Sequence, residues 1–87
     1  MKLEARLKAL MRDGNLTVAD LARWFKRSDP TVRGWSRGVA VGGPPADKRA
    51  VSDAVSEMEN MLKKKKGLPV PRLSPKARIA YLEKLKG

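Results

Sequence analysis

The chain contains neither cysteine nor histidine, and over 87 residues that absence decides how it can be stabilised. Disulfides are excluded, and the usual zinc-ligand sets cannot be assembled. A domain this small buries only a limited share of its surface, so the packing of apolar side chains has to supply the stability. Those side chains recur at spacings of three and four in short runs punctuated by Gly and Pro, with no internal repeat and no strand of convincing length. The expected fold is therefore all-α, a small helical bundle.

Leu3, Leu7, Leu10 and Met11 predict an amphipathic first helix over residues 2–12, ended by Gly14 and Asn15. Thr17 followed three residues later by Asp20 reads as a capping box, and Val18, Leu21, Ala22 and Phe25 then mark a second helix to about residue 25. Ser28 is placed to cap a third helix over 29–37, with Pro30 tolerated in its first turn and Gly38 stopping it. The stretch 38–45, rich in Gly, Pro and Val, predicts an irregular loop. A fourth and longest helix starts near Pro45 or Ala46 and carries Val51, Ala54, Val55, Met58, Met61 and Leu62. Four lysines follow, then LPVPRLSP, whose three prolines predict an extended, polyproline-like segment. Ser74 and Pro75 open a short last helix with Ile79, Leu82 and Leu85 as its stripe. The organisation expected is thus a unit over 1–62, a basic and Pro-rich linker over 63–73, and a C-terminal helix over 74–87.

The net charge of +11 predicts attraction to a polyanion, and its distribution is informative. Residues 1–43 hold nine basic and four acidic side chains, residues 44–62 two and four, and residues 63–87 nine and one. A slightly acidic segment thus separates two basic ones, which fits a basic binding unit, a packing helix and a basic tail better than a uniform solubilising coat. No apolar run approaches the roughly 20 residues that span a bilayer, and the N-terminus alternates charge with leucine, so the expected location is the cytoplasm, with no membrane partner. Without His or Cys, catalysis would rest on Asp, Glu, Lys, Ser or Tyr81. The Asp53 and Glu57 pair is spaced to hold magnesium but reads better as a solvated helix face, and no phosphate-binding glycine loop is present. The chain is read as a non-enzyme with no catalytic residue, cofactor or metal.

The segment from Val18 to Gly38, VADLARWFKRSDPTVRGWSRG, resembles the helix-turn-helix of the lambda-repressor-like family, which includes phage Cro proteins and many small bacterial regulators. Ala22 is small where the two helices of such a motif approach, Leu21 and Phe25 face inward, and Val32 and Trp35 anchor the second helix. The resemblance covers about residues 3–62 and implies a helical bundle containing a helix-turn-helix that engages double-stranded DNA; residues 63–87 form a basic extension it does not cover. The family's turn carries glycine where this chain has Lys26 and a small apolar residue where it has Arg27. A left-handed Lys26 would cost about 1 kcal/mol relative to glycine.

By the same resemblance, the base-facing positions fall on Ser28, Asp29, Pro30, Arg33, Gly34 and Arg37, with the recognition helix entering the major groove. Arg33 is the leading base reader, since its guanidinium fork matches guanine O6 and N7. Asp29 is placed to accept from a cytosine amino group or simply to complement its helix dipole, and Gly34 would permit close approach. Phosphate contacts are expected from Thr17 and the amides beside it, from Arg23, Lys26 and Arg27, and from the run Lys63, Lys64, Lys65 and Lys66. Trp24 is expected to pack against the first helix or the fourth-helix region. The implied function is a sequence-preferring transcriptional regulator of phage or mobile-element type. A DNA-packaging protein like the small terminase subunit, or an architectural protein, is the first alternative. An RNA-binding protein is the second, disfavoured by the lack of an aromatic platform. The fourth helix and the stripe of the last one leave open a homodimer through either.

Overall fold

The computed structural model describes residues 2–86 and contains five helices: α1 (Leu3–Asp13), α2 (Val18–Phe25), α3 (Asp29–Ser36), α4 (Pro45–Lys63) and α5 (Pro75–Lys86). No strand occurs among the described residues, and none of the helices is long and apolar enough to cross a membrane. The fold is all-α, as the spacing predicts.

The core forms where the apolar stripes of all five helices meet. Leu7 and Leu10 of α1, Leu21, Trp24 and Phe25 of α2, Val32 and Trp35 of α3, and Val51, Val55 and Met58 of α4 belong to one buried cluster. The Phe25 and Trp35 rings lie 6.1 Å apart at 49°, a tilted aromatic pair that locks α2 against α3. α1 is tied to α4 at the surface by the Arg6 guanidinium, which donates through Nη2 to Glu59 Oε1 at 2.6 Å and through Nε to Oε2 at 3.2 Å.

The segment after α4 departs from expectation. An extended, solvated linker would leave its side chains free, but Leu68 and Val70 are 3 % and 2 % exposed and belong to the same core as Leu7 and Val55. The reason lies in the hydrogen bonding. Val70 N–H donates to Gly14 O at 2.8 Å, while Asn15 Nδ2 donates to Val70 O at 2.7 Å, so the loop is pinned to the α1–α2 turn. Glycine is favoured at position 67: its φ is +88°, in the left-handed region that side chains rarely adopt, and a Cβ would press on the Leu85 side chain. The Tyr81 hydroxyl donates to Gly67 O and closes the loop onto α5. A Cα radius of gyration of 12.3 Å, against about 12 Å for a compact chain of this length, agrees with a tail folded back onto the bundle.

α5 lies along α2. Arg78, Leu82 and Lys86 follow at four-residue steps, and on α2 Asp20 and Trp24 do the same. Arg78 Nη2 donates to Asp20 Oδ2 at 2.5 Å, Leu82 is buried in the shared core, and the Lys86 ammonium sits 5.3 Å from the centre of the Trp24 ring. N-terminal half meets N-terminal half, so the two helices run in the same sense. Trp24 therefore packs against α5, and it also belongs to the core that α1 and α4 share. The stripe Ile79, Leu82 and Leu85, expected to bury against either its own domain or a second copy, is spent largely within the chain: Leu82 is 3 % exposed and the other two are half-buried.

Candidate nucleic-acid interface

The α2–α3 unit is built by its caps. At the start of α2 the Thr17 hydroxyl accepts from Asp20 N–H at 3.1 Å, and the Asp20 carboxylate accepts from Thr17 N–H at 2.9 Å, completing the reciprocal box. At its end Lys26 adopts φ 57° and ψ 46°. This left-handed residue lets Arg27 N–H reach back to Ala22 O at 2.9 Å, the six-to-one bond that closes a helix and reverses the chain. Lysine thus occupies the conformation usually assigned to glycine, at a cost of about 1 kcal/mol. The bonds of the turn and the Phe25–Trp35 contact behind it offset that cost.

Val32 and Trp35, 0 % and 3 % exposed, hold the inner side of α3, which leaves Asp29, Pro30, Thr31 and Arg33 on its outer side, all exposed, with Arg37 exposed at its C-cap. Arg33 and Arg37 have no ion-pair partner among the described residues. Lys26 and Arg27 are exposed at the turn leading into this helix. The outer side of α3 and the turn before it therefore form one largely cationic surface, which also carries Asp29.

Several expected site residues have more particular positions. Ser28 stands at the N-cap, but its hydroxyl shares a 2.7 Å hydrogen bond with the Thr31 hydroxyl and caps no amide. Gly34 is not open to a ligand in the way expected of a close-approach glycine. Val39 N–H donates to Gly34 O at 2.9 Å, and a Cβ on Gly34 would meet Val39 Cβ at 3.5 Å, so its bare side is covered by the chain leaving α3. Thr17 is exposed, but its hydroxyl and amide are both engaged in the cap. Arg23 points towards α5, where its Nη1 lies 4.0 Å from Glu83 Oε1.

The lysine run has an ordered job. Lys65 takes φ 53°, Lys65 N–H donates to Leu62 O at 3.2 Å, and Lys66 N–H donates to Met61 O at 2.8 Å. The run is thus the C-terminal cap of α4, where four ammonium groups also complement the helix dipole. All four lysines are exposed.

Two residues of the interface region had no place in the sequence reading. Arg78 bonds Asp20 and also donates to Asn15 O at 2.6 Å, bracing α5 against the N-terminus of α2. Lys86 donates to Trp24 O, one of the terminal carbonyls of α2. Burial first, and then the neighbouring Lys26 charge, push the Lys86 ammonium below the ordinary lysine range. The signal for both was present as two long cations, each one turn from Leu82, whose aliphatic stems can cover apolar surface.

Comparisons with protein-family models, with curated protein sequences and with solved structures find no match to the chain. The functional reading therefore rests on the geometry and charge of this molecule. No group of three or more carboxylates that could hold a metal ion occurs among the described residues.

Proposed function

We propose that the chain is a sequence-preferring double-stranded DNA-binding protein that acts as a transcriptional regulator by occupying an operator. The observation that carries the reading is α3: a short helix anchored from behind by Val32 and Trp35, entered through a tight turn, and presenting to solvent Arg33 and Arg37, which have no ion-pair partner among the described residues. Such a helix fits a major groove, with its N-terminal half at the base edges. Arg33 supplies bidentate readout of guanine, while Lys26 and Arg27 hold the phosphate backbone and fix the register. With Gly34 covered and Pro30 lacking a polar side chain, direct readout is sparse, and DNA shape carries part of the preference.

The test is selection of bound sequences from a random duplex pool with the full chain. Recovery of a short shared motif containing guanine supports the reading. Uniform recovery with strong salt dependence would reduce the protein to a non-specific duplex binder. The symmetry of the recovered site, with the mass of the complex, distinguishes a monomer from a homodimer joined through α4.

A further inference from the structure

Where the last turn of α5 crosses the end of α2, Arg23, Trp24, Lys26, Leu82, Glu83 and Lys86 line a shallow pocket of about 180 Å³. Its floor is apolar, Trp24 and Leu82, and both are nearly fully buried. Its rim carries three cations against one carboxylate, and Glu83 is already beside Arg23 at 4.0 Å. Lys26 has no ion-pair partner among the described residues. The Lys86 ammonium has three N–H donors; one is given to Trp24 O and the group leans on the Trp24 ring, which leaves donor capacity directed outward.

Resting on the duplex-binding reading, we infer that this pocket takes a backbone phosphate of the DNA, held between Lys26 of the turn and Lys86 of α5, so that the C-terminal helix supplies part of the interface. Lys26 belongs both to the pocket and to the turn that leads into α3, which makes the pocket continuous with the readout surface. Lys86 is fixed in advance by its bond to the Trp24 carbonyl and by the ring, so little side-chain freedom remains to be lost on binding. A phosphate between the two ammonium groups also offsets their mutual repulsion, the second of the effects that lower Lys86.

The experiment measures duplex affinity against salt for the full chain and for Lys86→Gln, Lys86→Arg and Lys84→Gln, with thermal melting of each. One lost phosphate contact lowers the slope of log K against log salt by about 0.9. Lys86→Gln should show that drop on preferred and random duplex alike. Lys86→Arg should restore the slope, and Lys84→Gln, in the same turn but outside the pocket, should leave it unchanged. An unchanged slope in a folded Lys86→Gln variant overturns the inference, as does an equal drop in Lys84→Gln.

A second arm adds inorganic pyrophosphate to the free protein and follows the Trp24 indole by NMR. A saturable shift lost in Lys86→Gln supports the pocket even if the wild-type chain binds no duplex, in which case the proposed function fails and the anion site stands. No shift together with no duplex binding removes both. A shift that survives in Lys86→Gln places the anion elsewhere and overturns the inference.

Discussion

α3 and α5 are both short and both lie against α2, but the cations they carry are held differently. On α3, Arg33 and Arg37 project from a helix whose inner side is anchored by Val32 and Trp35, and no carboxylate pairs them among the described residues. On α5, Arg78 turns inward onto a carboxylate and a carbonyl of the α1–α2 region, while Lys86 stays exposed but is tethered to the Trp24 indole and the carbonyl beside it. Net charge alone therefore does not identify a binding surface. The same residue types stand unpaired in solvent on one helix, among the described residues, and serve as fastenings on the other.

The largest expected effect tests whether α5 is structural. Removing residues 67–87 strips Leu68, Val70 and Leu82 from the core and leaves Asp20 without its guanidinium partner. A chain of this size has a net stability of roughly 5–15 kcal/mol, and the truncated protein should lose most of it, seen as a non-cooperative thermal melt by circular dichroism. A truncated chain that melts sharply at the full-length temperature would make α5 an appendage after all.

Next in size is Trp35→Ala, which opens a cavity behind α3 and breaks the pair with Phe25; truncating a buried aromatic costs about 3–5 kcal/mol. Urea unfolding measures it directly, and a midpoint within error of the wild type would mean that α3 is held by something other than its indole.

Arg78→Met comes third. Methionine keeps the apolar stem but leaves the Asp20 carboxylate, with its side chain only 9 % exposed, facing a partner that no longer carries charge. Breaking one side of a buried pair costs about 3 kcal/mol at the lower end of the usual range, which suits a pair that retains some solvent contact. Asp20→Asn should lose similar stability, and the double variant should lose less than the two losses combined, because each single change strands the other group. Additive losses would show that the pair is only a surface contact.

These fastenings also show what could be read ahead of the structure. The five helices, the capping box and the apolar stripe through Phe25 were legible because apolar spacing and cap chemistry are local, while the inward-facing Val32 and Trp35 followed from the family resemblance. The linker was misread because three prolines in eight residues favour an extended chain, while the force that folds it back comes from Gly14 and Asn15, more than fifty positions away. α5 was legible as a helix but not in its contacts. Its packing face includes Arg78 and Lys86, and a search for apolar periodicity passes over cations whose stems do the covering.

Arg33→Ala addresses the α3 side of the comparison. Loss of a bidentate guanine contact costs about 1–3 kcal/mol of discrimination, so the variant should bind the preferred duplex more weakly while its affinity for random duplex falls much less. Thermal stability should not move, since Arg33 is exposed. Equal losses on both duplexes would assign Arg33 to the backbone.

The smallest effect is the most discriminating, because Gly34 is where the resemblance and the geometry disagree. As a base-facing residue, Gly34 would be needed for the absence of a side chain, and any Cβ would push the helix off the groove. In the structure its bare side is covered by Val39, at a distance of 3.5 Å that is ordinary van der Waals contact, and its φ is not in the left-handed region. Alanine should then fit without strain, and inside a helix it should stabilise the protein by about 0.5–1 kcal/mol by restricting the unfolded chain. Gly34→Ala is expected to raise the melting temperature slightly and to leave affinity for the selected duplex unchanged. A variant that gains stability but loses binding would return Gly34 to the contact surface and show that DNA meets α3 further round its axis, on the side where Val39 stands 61 % exposed.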